Sequence, residues 1–244
     1  MNADHEWVLE ELRRAARPVS SKEPQNDSYG GSGRPFYNVS VPTRRAIVSR
    51  RFAARGAMTA EVWLAAVESL TEGQSHEEKT LAAILLGRHA KARSQVRPED
   101  IDRWLGRLNG WAEVDSLCQN VFKAPQMLDD WPGWRGLILR LSRDQNINKR
   151  RASLVLLNGP VRNSEDGRFS DLAFDVIDRL KGERDILITK AVSWLLRSMV
   201  ERRREAVEAY LAAHEPSLPK IAVRETATKL ATGVKSGRPR SRAG

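Results

Sequence analysis

Apolar residues recur at steps of three and four along nearly the whole chain, as in Val8, Leu9, Leu12 and Ala15, or Leu81, Ala82, Ile84, Leu85 and Leu86. That spacing lines one side of a helix, and no segment sustains the two-residue alternation of a half-buried strand. The expected class is therefore all-α. Pro42 and Pro98 suit first-turn positions, where a missing N–H costs nothing, and Ser75 followed by Glu78 has the spacing of a capping box. Gly56, Gly73, Gly159-Pro160 and Gly182 read as stops. These signals divide residues 42–231 into about ten helices joined by short loops, a pattern that makes neighbours antiparallel.

Helix pairs recurring roughly every 35 to 45 residues are what a HEAT-like solenoid requires, because each pair hides its apolar face only by stacking on the next. The expected architecture is a single domain over residues 1–231, a superhelical stack of antiparallel pairs with a concave basic face. Two segments interrupt the regularity. Residues 18–41, rich in proline, glycine and serine, read as a long ordered loop with a purpose, since structureless insertions of that length are uncommon inside a domain. Residues 160–171 read as a connection.

Charge narrows the class of partner. The 244-residue chain carries 41 Lys and Arg against 31 Asp and Glu, a formal net charge of +10, which points to a polyanion. Residues 232–244 form a basic tail expected to be disordered; four bases and no acid lie in it, so the body keeps +6. The tail reads equally as a source of non-specific attraction to phosphate and as a solubilising extension. A single cysteine, Cys118, excludes an internal disulfide and a cysteine-rich zinc cluster, and the four histidines show no ligand-like spacing. No metal or cofactor is expected. Acids near the start and the lack of a long apolar run give the expectation of a cytoplasmic monomer with no membrane partner.

Within Gly110-Trp-Ala-Glu-Val-Asp115, a spacing of four places Trp111 and Asp115 on one helix face, an aromatic plane beside a carboxylate. A carboxylate in so basic a chain suggests local chemistry more than phosphate binding. Lys149, Arg150 and Arg151 fall at a helix start, where charge and amides favour phosphate, with Arg151 the best candidate. Lys190, Trp194 and Arg197 share a helix side, combining aromatic and basic groups, while Arg197 reads equally as a structural ion-pair member. Arg44 and Arg45 fit either a grip on a phosphate backbone or simple solubility. Trp7, Trp63, Trp104, Trp131 and Trp134 read as core.

Four blocks in order resemble the HEAT-like-repeat DNA alkylation repair glycosylases of the AlkD type. They are Tyr29 through Phe36-Tyr-Asn-Val-Ser-Val-Pro-Thr-Arg-Arg45, then Trp111 to Asp115, then Asn146-Ile-Asn-Lys-Arg-Arg151, and finally Lys190-Ala-Val-Ser-Trp194-Leu-Leu-Arg197 followed by Arg224-Glu-Thr. The resemblance spans most of residues 29–231, and Asn38 stands where the family usually has a glycine. It implies catalytic roles for Asp115, Trp111 and Trp194, and DNA contacts from Arg151, Arg150, Lys190, Arg197, Arg44, Arg45 and Tyr29.

The implied activity is hydrolysis of the N-glycosidic bond of cationic alkylated purines, 7-alkylguanine and 3-alkyladenine, in double-stranded DNA, without a cofactor. A base that already carries positive charge leaves without a strong general acid, so one carboxylate suffices to meet the cation developing on the sugar. Electron-rich indole faces favour the same cation. The resemblance further implies that the lesion is handled without extrusion into a deep pocket, in contrast to most base-modifying enzymes. Two other functions fit such a chain: a non-catalytic DNA-structure binder on the same scaffold, and a protein-interaction scaffold, a common use of helical solenoids.

Overall fold

The computed structural model describes residues 1–18, 31–53, 58–119 and 122–235, and among them all regular structure is helical. Two compact units divide the chain, Met1–Phe122 and Lys123–Gly244. Tyr29, Gly56 and the end of the basic tail lie outside the described residues.

The first unit contains α1 (Ala3–Ala15), α2 (Val41–Ala53), α3 (Ala60–Glu72), α4 (His76–Arg88), α5 (Ala90–Ser94), α6 (Pro98–Leu105) and α7 (Gly110–Cys118). Helices α2, α4 and α7 pack in series, and α1 packs on α2 and α3. The anticipated capping box is present: Ser75 Oγ accepts from the Glu78 amide at 3.2 Å, and Glu78 Oε2 accepts from the Ser75 amide at 2.8 Å. Neighbours flank α4 on several sides, so even its polar first turn, His76 to Thr80, is buried and every group there requires a partner. On α3, Glu68 joins the α6 region by accepting from Arg103 at 3.0 Å, Trp104 Nε1 at 2.5 Å and Arg107 at 2.6 Å. Those bonds outweigh the opposing effect of burial and hold its carboxyl down at about 2.

The second unit contains α8 (Ala124–Asp129), α9 (Trp131–Leu141), α10 (Ile147–Asn163), α11 (Gly167–Leu180), α12 (Ile186–Met199), α13 (Arg204–His214) and α14 (Lys220–Thr232), with a short 3-10 turn at Glu215–Ser217. Here α10, α12 and α14 form the inner row, with α9, α11 and α13 each packed against the next helix in the chain. This alternation is the HEAT-like pairing expected from the sequence. Starts are defined by side-chain caps: Asp130, Asn146, Asp166 and Asp185 each accept from a backbone amide of the first turn. At one end Arg151 of α10 donates to the Leu187 carbonyl of α12, and at the other Ser198 Oγ of α12 donates to Asn158 Oδ1 at 2.7 Å. Inner helices α10 and α12 are thus parallel.

The stop expected at Gly159-Pro160 is corrected by α10, which continues to Asn163 with Pro160 inside it. An interior proline removes one ladder hydrogen bond and costs about 3 kcal/mol. Against that stand the full burial of Leu154, Val155, Leu157 and Val161 and the Asn158–Ser198 bond, all of which need the helix to persist. The connection expected at residues 160–171 shrinks to Ser164–Asp166. Thirteen helices, among the described residues, occupy the stretch for which about ten were expected. The surplus includes α5 and α8, five and six residues long, too short to show a period.

Of the tryptophans expected in the core, Trp63, Trp104 and Trp134 are buried. Trp7 and Trp131 are half-buried instead, each faced by a guanidinium, Arg51 and Arg168 respectively, at 5.3 Å from the ring centre.

Candidate active site and DNA-contact residues

In the first unit the described part of the loop, residues 31–40, lies against the starts of α4 and α7, held by two carboxylates buried to 0% and 1% exposure, Glu77 and Glu113. Glu77 accepts from the amides of Tyr37 at 3.1 Å and Val39 at 3.2 Å. Glu113 Oε2 accepts from the Asn109 amide at 2.9 Å and Arg34 Nε at 3.3 Å, while its other oxygen faces His76 Nδ1 at 3.4 Å. Arg34 also donates to the Arg107 carbonyl at 2.8 Å, and Asn109 donates to the Ser32 carbonyl at 3.0 Å. Loop and helix starts form one hydrogen-bonded body.

Two backbone positions shape this body. Gly110, the first residue of α7, has φ +72°, a left-handed value at which a β-carbon is unfavourable. Asn38 has φ +54°, also left-handed, and donates to the Pro18 carbonyl at 3.3 Å. Asparagine tolerates this conformation better than other non-glycine residues.

On α7, Trp111 is half-buried and Asp115, one helical turn on, is 6% exposed. The helix expected there is present, so the two residues lie one turn apart along α7, and the carboxylate is almost wholly buried. Electrostatic interactions there are far stronger than at an open surface.

Predicted cations fall into distinct environments. Arg44 is buried and donates to Thr80 Oγ1; burial lowers its pKa, an effect that Glu77 opposes and Arg45 reinforces. Arg45 is exposed. Arg150 pairs with Glu183 through two bonds of 2.7 and 3.1 Å. Arg151 is 5% exposed and donates to the Leu187 carbonyl at 2.5 Å. Along one side of α12, Lys190 is exposed, Trp194 is half-buried and Arg197 is an ion-pair member, its Nε 3.3 Å from Glu225 Oε2. Burial lowers the Arg197 pKa against the raising effect of that carboxylate. Ser193 Oγ donates to the same Glu225 oxygen at 2.7 Å.

Sequence reasoning missed Glu77, Glu113 and Arg34. The available signal was positional: both acids lie in the first turn of a helix, Glu113 four residues after the cap residue Asn109 and between Trp111 and Asp115. Among the described residues, no group of three or more His, Cys, Asp or Glu is arranged to hold a metal ion. No helix among them is long and apolar enough to cross a membrane.

Stacked helix pairs define a HEAT-like helical-repeat protein. The family model described as DNA alkylation repair enzyme matches residues 8–230, and the chain belongs to that family. A solved structure titled "Predicted DNA alkylation repair enzyme" from Enterococcus faecalis is similar in fold, with a TM-score of 0.64 and 18% sequence identity; the match covers 80% of this chain and 88% of that one. No curated protein matches the sequence significantly.

Proposed function

We propose that this DNA alkylation repair family member is a DNA glycosylase that releases cationic alkylated purines, 7-alkylguanine and 3-alkyladenine, from duplex DNA. The observation that carries this reading is the Trp111–Asp115 face of α7, an indole and a carboxylate of 6% exposure in a chain of this family. Water attacks C1′ of the deoxyribose as the bond from C1′ to the purine nitrogen breaks. The bonding electrons leave with the base and cancel its positive charge, and one proton of the water passes to solvent.

Asp115 meets the positive charge on the sugar in the transition state and orients the water. Trp111 supplies an electron-rich face to the same cation. Exposed cations contact DNA phosphates, Arg45 in the first unit and Lys190, beside Trp194 on α12, in the second. Arg44 in the first unit and Arg150, Arg151 and Arg197 in the second, each bonded within the protein, hold their own unit's helices in place in this reading. The test is to incubate the protein with duplexes carrying one 7-methylguanine and with unmodified duplexes. Release of free 7-methylguanine, leaving an abasic site in the first duplex only, is the expected result. Tight duplex binding with no base released from any cationic purine would establish the non-catalytic alternative.

A further inference from the structure

In the second unit an open groove of about 740 Å3 lies between the turn preceding α12 and the start of α14. Leu218, Ile221 and Val223 give it an apolar wall, and three cations, Arg184, Lys220 and Arg224, line it with a single acid, Glu215. All three cations are exposed. Several other bases of this unit pair with acids, among them Arg150 with Glu183, Lys181 with Asp178 and Arg204 with Glu208. Among the described residues, no carboxylate lies within ion-pair distance of Arg184, Lys220 or Arg224.

A second groove of about 410 Å3, on the outer helices α9 and α11, makes the contrast. Arg135, Arg143 and Arg179 line it too, but Asp175 and Asp178 stand among them, so its charge is nearly balanced. Three like charges with one acid among them repel one another, and an anionic ligand relieves that repulsion. Guanidinium groups match the planar geometry of two phosphate oxygens, and an ammonium adds a point charge.

We propose that the groove of Arg184, Lys220 and Arg224 holds a phosphodiester of the DNA backbone, with the adjoining deoxyribose against Leu218, Ile221 and Val223. The proposal rests on the reading of the protein as a DNA-binding repair enzyme, but concerns a site apart from Asp115. A backbone phosphate carries no sequence information, so the groove fixes the duplex in place whatever base is damaged.

The test measures binding of undamaged duplex as salt is raised. Removing all three cations (R184A/K220A/R224A) is expected to lower the slope of log affinity against log salt by about 1 to 2 and to weaken low-salt binding about tenfold or more. A control triple in the outer groove (R135A/R143A/R179A) removes the same charge and is expected to leave the slope unchanged. Equal changes in the two triples, or wild-type binding insensitive to salt, overturn the proposal. Inorganic phosphate at constant ionic strength distinguishes a free phosphoanion: millimolar phosphate that stabilises the wild type but not the groove triple overturns the backbone assignment. If the triple melts early, K220Q and R224Q carry the same test singly. Base release is scored separately. A groove-dependent slope without release defeats only the glycosylase reading, whereas release with an unchanged slope defeats only the groove.

Discussion

First-turn charge differs between α4 and α7 of the first unit and α10, α12 and α14 of the second. In the first, Glu77, Glu78 and Glu113 occupy the first turns of α4 and α7, where the helix dipole favours anions. In the second, α10, α12 and α14 have no acid in the first turn, and Arg150, Arg151, Arg184, Lys220 and Arg224 lie in or near those starts. Glu77 and Glu113 accept from backbone amides and set the position of a loop. The bases of the second include three without an ion-pair partner among the described residues, an arrangement that an external anion completes. One repeat geometry thus supports a rigid frame beside the candidate carboxylate and a receptive surface for phosphate.

Removing an acid from the first unit tests its rigidity most severely. Glu113→Ala leaves the Asn109 amide and Arg34 without their acceptor, and is expected to destabilise the protein by about 3–5 kcal/mol, the usual result of orphaning a buried charge partner. Chemical denaturation measures it, and a loss below about 1 kcal/mol would mean the loop holds without Glu113. The Arg150–Glu183 pair of the second unit is partly open to solvent, so Glu183→Gln is expected to cost only about 1 kcal/mol.

Acid provides the next contrast. Glu78 accepts from His5 Nε2 at 2.7 Å and from Ser75, and these bonds overcome the effect of burial to hold its carboxyl at about 2. An unfolded glutamate titrates near 4.3, so the folded state binds the proton less tightly. The contribution, on the order of 3 kcal/mol, is complete above about pH 5 and is lost as pH falls toward 2. In melting curves against pH, the gap between wild type and Glu78→Gln is expected to be widest near neutrality and to close at the acid end. A gap that stays constant with pH would contradict this.

The smallest expected effect is at Asn38. Its left-handed φ makes Asn38→Ala cost about 1 kcal/mol, while Asn38→Gly stays within about 0.5 kcal/mol of wild type. Equal stability of the two variants would show that the backbone conformation is not what selects the residue.

Legibility followed the range of the interactions. The capping box at Ser75, the helix start at Pro98 and the ends at Gly73 and Gly182 depend on residues within one turn, and each is where the sequence places it. Pro160 misled because its local preference is to end a helix, whereas burial and the bond between Asn158 and Ser198, forty positions apart, keep the helix going. The Trp111–Asp115 face needed only a spacing of four. Nothing local marks Arg44 as a partner of Thr80 or Arg197 as a partner of Glu225, since each pairing is created by packing between helices. Glu113 was obscured for a related reason: an acid on a helix is ordinarily solvated, and only the returning loop encloses it.

In the proposed reaction Asp115 stabilises the sugar cation as the damaged purine leaves. Single-turnover release of 7-methylguanine from duplex DNA by wild type and by Asp115→Asn tests it directly. A fall of about 100-fold in rate, equivalent to about 3 kcal/mol of transition-state stabilisation, with undamaged-duplex binding unchanged, is the expected result. Equal rates for the two proteins would contradict the account.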